Sequence, residues 1–151
     1  MKQVLVECYP DGKLVSKLGF KKREIFHYFG KSRVYSKLSK SSGHLAMVDE
    51  DPGVSIYTYE KKLKFKEEKF GIKLFLDNNN NKVLVLNVKL EDWILSACRS
   101  QKIDPNKFGL PSDSKHLKDT INHKLEKFGD LIEELLEQKN PAILQLKSWL
   151  K

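Results

Sequence analysis

The sequence predicts an α/β fold, a mainly parallel sheet with helices on both faces, and three observations carry that expectation. A short run rich in β-branched residues, Gln3 to Cys8, opens the chain; a compact apolar run, His44 to Val48, comes later; and the stretch between them reads as helix. An apolar run that does not alternate suits a strand buried on both faces, as in a parallel sheet. Two strands separated by helical segments imply a crossover connection.

The first strand closes in Tyr9-Pro10-Asp11-Gly12, a turn by composition. A helix is expected from about Asp11, capped by that aspartate and stopped at Gly19. A second helix, Lys21 to Phe29, ends at Gly30, and a third, Ser32 to Leu38, carries Val34, Tyr35 and Leu38 at helical spacing. Ser41-Ser42-Gly43 breaks the chain before the His44 to Val48 strand. Ile72 to Leu76 and Val83 to Val88 read as two more strands, joined in a hairpin by Asp77-Asn78-Asn79-Asn80-Asn81, because asparagine tolerates left-handed backbone. The charged stretch Lys61 to Lys69 reads as a surface loop or short helix.

Leu90 to Cys98 begins a helix whose first turn holds Glu91 and Asp92, favourable against the helix dipole. Lys102 to Asp113 is a loop, punctuated by Pro105, Gly109 and Pro111. Leu117, Ile121, Leu125, Phe128, Ile132, Leu135 and Leu136 mark one face of a long amphipathic helix. Pro141 starts a last helix, from which Leu144 and Trp149 are expected to pack inward. No repeat or linker divides the 151 residues, which read as one domain: a motif-bearing part over 1–55, a hairpin extension over 56–89 and a helical C-terminal part over 90–151.

Charge and composition narrow the function classes. Lys and Arg number 28 against 20 Asp and Glu, a net charge of +8, and from Lys13 to Lys40 nine basic residues face a single acid, Glu24. Such an excess points to a phosphate-bearing partner, since neutralised phosphates release condensed counterions; a solubilising surface is the alternative. No apolar run approaches the roughly 18 residues of a membrane span, and Met1-Lys2-Gln3 leads into an alternating segment rather than a signal-peptide core, so a cytoplasmic protein is expected. Cys8 and Cys98 lack the spacing of a disulfide framework or zinc knuckle and read as small buried hydrophobes.

Three acids fall where strands end: Glu7 after the first strand, and Asp49 and Asp51 after the second. With the carboxyl ends of a parallel sheet aligned, such positions converge on the crevice where open α/β folds bind ligands. Each taken singly is a polar turn or strand-end residue. Together they form a cluster whose mutual repulsion recruits a cation, and hard oxygen donors select Mg²⁺ or Mn²⁺ over zinc. Gly30-Lys31-Ser32-Arg33 stands at a helix N-terminus, where free N–H groups and a cation suit an anion, making Lys31, Ser32 and Arg33 candidate phosphate ligands. The segment has the Gly-Lys-Ser order of a nucleotide P-loop but lacks its upstream glycine, so it is not one. His27, one helical turn earlier in this reading, is either structural or turned to the same crevice. His44, His116 and His123 have only structural readings.

The arrangement resembles the Toprim family, the domain shared by bacterial primases, topoisomerases and overcoming-lysogenization-defect nucleases. Val4-Leu5-Val6-Glu7, with Asp11 four positions on, is similar to its first motif, and Val48-Asp49-Glu50-Asp51-Pro52-Gly53 to its Asp-x-Asp motif. Cys8 stands where the family has glycine, and Gly53 comes one position early. The resemblance covers about the first 55 residues and implies a Rossmann-like, Toprim-like fold in which Asp49 and Asp51 hold Mg²⁺ and Glu7 is a general acid/base or a further ligand. Leu90-Glu91-Asp92-Trp93 is similar to a Leu-Glu-x-Trp of small relatives of the nuclease branch, which would bring Glu91 into the metal set; otherwise Glu91 is a helix-start acid and Trp93 a core anchor. The expected function is Mg²⁺-dependent phosphoryl transfer on nucleic-acid phosphodiesters, with weak sequence preference because contacts fall on the backbone. The alternatives are a non-catalytic module binding nucleic acid or protein on the same fold, and an enzyme acting on a small phosphorylated molecule.

Overall fold

A computed structural model describes residues 2–151. Six strands form one mixed sheet: β1 (Val4–Val6), β2 (Ile25–His27), β3 (Leu45–Asp49), β4 (Lys64–Lys69), β5 (Ile72–Leu76) and β6 (Lys82–Leu86). Their order is β2-β1-β3-β6-β5-β4. β2, β1, β3 and β6 run parallel, and β5 and β4 continue the sheet antiparallel. Six helices accompany them: α1 (Tyr9–Lys17), α2 (Lys31–Ser39), α3 (Leu90–Ser100), α4 (Ser114–Thr120), α5 (Leu125–Glu137) and α6 (Pro141–Trp149). The chain is thus an α/β protein with a mixed sheet flanked by helices, a layout compatible with a Rossmann-like fold, and among the described residues no helix is long and apolar enough to cross a membrane.

Alternation along the strands divides the core in two. Val4, Val6, Leu45, Met47, Leu84 and Leu86 face one layer, packed against α1, α3, α4, α5 and α6. Leu5, Ala46, Val48 and Val83 face the other, covered by Val34, Tyr35 and Leu38 of α2. The strand expected to be doubly buried, β3, is buried up to Asp49, and β1 is wholly buried as well. On the first side α1 lies close over α5, where a Cβ on Gly129 would come 2.6 Å from Lys13 Cε and 2.8 Å from Lys17 Cε.

Several expectations are corrected. The second helix does not form: Lys22–Glu24 is one 3₁₀ turn, and Ile25–His27 is β2, paired Val4 to Ile25 and Val6 to His27. The open edge of β1 offers backbone partners to a β-branched and aromatic triplet, and pairing outweighs local helix preference. His27 is therefore a strand residue. The Lys61 to Lys69 stretch contains β4, an edge strand whose charged side chains keep the sheet from pairing further.

Tyr9-Pro10-Asp11-Gly12 is the first turn of α1, with Cys8 as N-cap; Asp11 instead accepts the Cys8 N–H at 2.9 Å from within the helix. The long C-terminal helix is broken into α4 and α5 by a 3₁₀ turn at Ile121–His123 and non-helical backbone at Lys124, while Leu117, Ile121, Phe128, Ile132 and Leu135 stay buried across the break. Leu144 is exposed, because Ile143, Leu146 and Leu150 supply the buried face of α6. Cys8 is also exposed, and Cys98 is buried as expected.

The basic Lys13 to Lys40 segment is not one face. Lys13 and Lys17 ride on α1 and Arg33 and Lys37 on α2, on opposite sides of the sheet, so the charge wraps around its β2 edge. Two of its cations are engaged internally: Lys17 pairs with Glu133, and Lys31 with Asp51 and Glu60.

Candidate functional site

The parallel strands end at one edge of the sheet, and the acids that close two of them meet there. Glu7 leaves β1, Asp49 is the last residue of β3, and Asp51 comes two positions later in a left-handed conformation (φ 48°) that turns the chain away. Helices α1, α2 and α3 begin after β1, β2 and β6, so three positive helix ends lie at the same edge of the sheet.

Backbone donors fix two of the carboxylates. Glu7 Oε2 accepts the Asp49 N–H at 2.9 Å, tying β1 to β3 by a side chain where strand pairing stops. Asp49 Oδ1 in turn accepts the N–H of Leu90 at 2.9 Å, so it both ends β3 and caps α3. Among the described residues, Glu7, Asp49 and Asp51 offer ligand oxygens that all lie within 4.8 Å of one another, each half-buried. The convergence expected from strand-end spacing is present.

Lys31, at the start of α2, is the cation of this site and is buried. Its Nζ lies 3.8 Å from Asp51 and 3.7 Å from Glu60, and it donates to the Glu50 carbonyl at 3.2 Å. Ser32 and Arg33 are exposed beside it. Glu50, between the two aspartates, turns to Lys73 at 2.8 Å. A cleft of about 360 Å³ opens between Lys31, Asp51 and the 52–57 loop.

The acids carry more negative charge than this one ammonium compensates. Burial raises the pKa of Glu7, with Asp51 adding repulsion, against the Asp49 N–H and Lys31 which lower it. Asp49 is pushed up to about 7, first by burial and then by Glu7, Glu91 and Asp51. Asp11, buried in the first turn of α1, is also raised, first by burial and then by Asp49. Glu91 is buried, and its pKa too is raised by burial. It adds to the field at Asp49 from the first turn of α3 and stands outside the converged triad, where Trp93 anchors the core and donates to the Phe70 carbonyl at 2.9 Å.

His27 packs its ring on Tyr9, centroids 4.9 Å apart, with its pKa lowered by burial. His44 accepts from the Gln3 N–H, His116 pairs with Asp113, and His123 is exposed, all away from the triad. Sequence reasoning missed Glu60, which takes both Lys31 and the Tyr35 hydroxyl (2.9 Å), and the aromatic group Tyr9, His27 and Phe29. The first left no motif, since its partners lie on α2; the second was hidden by the helical reading of Ile25–His27.

Comparison with protein-family models, with curated proteins and with solved structures finds no match.

The donor set fits a divalent ion. Three half-buried carboxylates face one ammonium that is shared with Glu60, and the raised proton affinities of Glu7 and Asp49 mark charge that protons or a metal must balance. The donors are all oxygens, which suits a hard cation.

Proposed function

We propose that the chain is a Toprim-like, Mg²⁺-dependent phosphoryl-transfer protein acting on nucleic-acid phosphodiesters. The reading rests on one observation: the convergence of Glu7, Asp49 and Asp51 at the carboxyl ends of adjacent parallel strands. Asp49 and Asp51 would hold the metal, with Glu7 as the general acid/base or else a further ligand. When bound, such an ion polarises a phosphodiester oxygen and lowers the pKa of a water.

The chain's own groups supply the rest. Glu7 keeps one oxygen on the Asp49 N–H, and its other oxygen, of raised proton affinity, holds or releases a proton as general acid/base. Lys31 orients Asp51 and places positive charge beside the cleft. A strand approaching over the β2 edge meets Lys13 and Lys22 on one side and Arg33 and Lys37 on the other, which favours backbone holding with weak sequence preference.

Calorimetric titration with Mn²⁺ and Mg²⁺ tests the site: the wild type binds, and Asp49→Ala with Asp51→Ala does not. Unchanged binding in that variant overturns the reading. Metal-dependent cleavage of labelled DNA or RNA, lost in Glu7→Gln, tests the chemistry; retention on nucleic acid with no metal-dependent turnover would favour a binding module instead.

A further inference from the structure

Beside the triad, three rings gather on the β2 edge. Tyr9 is 52% and Phe29 54% exposed, and the two rings touch each other. The Tyr9 ring lies 4.9 Å from His27 and 5.3 Å from Phe29, and His27 and Phe29 are near-parallel at 6.3 Å. Phe29 is held there against its backbone preference, in the left-handed region at φ 52°. Its N–H donates to the Glu7 carbonyl at 2.8 Å, which couples the rings directly to a triad residue. Next to them a cleft of about 370 Å³ is lined by Tyr9, His27, Lys13, Lys22 and Leu125.

Exposed ring faces alone say nothing of what covers them. Two lysines on the wall of the same cleft, in the most basic segment of a +8 chain, specify an anionic occupant with flat apolar faces. Unpaired nucleotides have that chemistry, since bases stack on aromatic rings while phosphates meet cations. We propose that Tyr9, His27 and Phe29, with Lys13 and Lys22, form a stacking shelf for single-stranded nucleic acid that leads the strand to the acidic triad. This deepens the phosphodiester reading by naming the substrate as unpaired; the binding itself needs no metal.

The test is fluorescence anisotropy in EDTA with labelled oligothymidylate and oligouridylate of about 12 nucleotides, against a duplex of the same length. A single strand binds more tightly than the duplex, and Tyr9→Ala with Phe29→Ala weakens it by about tenfold or more. Lys13→Glu with Lys22→Glu weakens it too and flattens its salt dependence. Phe29→Trp preserves the stacking face, and its added fluorescence is quenched by the oligonucleotide. The shelf is rejected by absence of binding, by equal or tighter binding of duplex, by indifference to the ring substitutions, or by an unquenched Phe29→Trp. Sedimentation showing a wild-type dimer that Phe29→Ala dissociates also rejects it, since the rings then contact a second copy. Wild type that cleaves with Mg²⁺ while Phe29→Trp stays unquenched removes the shelf alone; quenching without any cleavage supports the shelf and removes the nuclease reading alone.

Discussion

Asp49 bonds in two directions, to the Leu90 N–H and through its own N–H to Glu7, while burial and three neighbouring acids raise its pKa to about 7. Its structural and electrostatic roles separate by substitution. Asp49→Asn keeps an oxygen for the Leu90 N–H but removes the charge, so it is expected to lose metal binding by calorimetry while melting at or above the wild type in EDTA. Asp49→Ala loses the cap as well, and is expected to fall about 1 kcal/mol below Asp49→Asn in chemical denaturation. Lys31 presents the complementary case. Removing a buried cation leaves its acids uncompensated, so Lys31→Met is expected to lower the melting temperature in EDTA, and Mg²⁺ to restore more of it than in the wild type. An equal Mg²⁺ response in both proteins would show that Lys31 and the metal do not share the same charges.

The element that most changes the sequence-based picture is β2. Its triplet has no periodicity long enough to oppose the helical appearance of Lys21 to Glu24, and its strand state comes from β1 alone, on one side. β4 was hidden for the same reason, as an edge strand exposed along most of its length. The strands with partners on both sides, β1, β3, β5 and β6, were legible because burial on one or both faces imposes a pattern on the residues themselves. So was the triad: strand-end acids in a parallel sheet converge by topology, without side-chain detail. Glu60 and the Tyr9, His27 and Phe29 rings depend on how α1, α2 and β2 lie against one another, which no local pattern records. Gly12 measures that fit. A Cβ there would lie 2.2 Å from His27 Nε2, so Gly12→Ala must drive the ring from its place beside Tyr9. We expect a loss of about 1–3 kcal/mol in urea denaturation, mostly recovered when His27→Ala is added. Additive losses would place the strain elsewhere.

At the scale of the whole molecule, the raised acids link stability to pH and metal. Glu7, Asp11, Asp49 and Glu91 all have pKa values above the ordinary carboxylate range, burial being the largest cause for each. Between that range and about 7, where Asp49 titrates, these four acids bind more protons in the folded chain than in the unfolded one, so their contribution to stability falls as pH rises through that interval. Asp77, lowered by hydrogen bonds from Tyr59 and Asn81 that outweigh its burial, acts oppositely at more acidic pH, and His27 and His44, both lowered chiefly by burial, act oppositely up to the ordinary imidazole range, two groups against the four acids. In EDTA the melting temperature is therefore expected to be higher near pH 5 than near pH 8. A divalent ion competes with the same protons, and at about 100 times its dissociation constant it adds about 2.7 kcal/mol to the folded state. For a chain of this size that raises the melting temperature by roughly 5–10 °C near pH 8, with a smaller effect near pH 5, where Asp49 is protonated. Asp49→Asn should flatten both responses. A melting temperature that climbs from pH 5 to pH 8 in EDTA would mean that burial does not burden these acids. A Mg²⁺ response of equal size at both pH values would place the ion away from them, because only a site built on carboxyls of raised proton affinity gives up its metal over that interval.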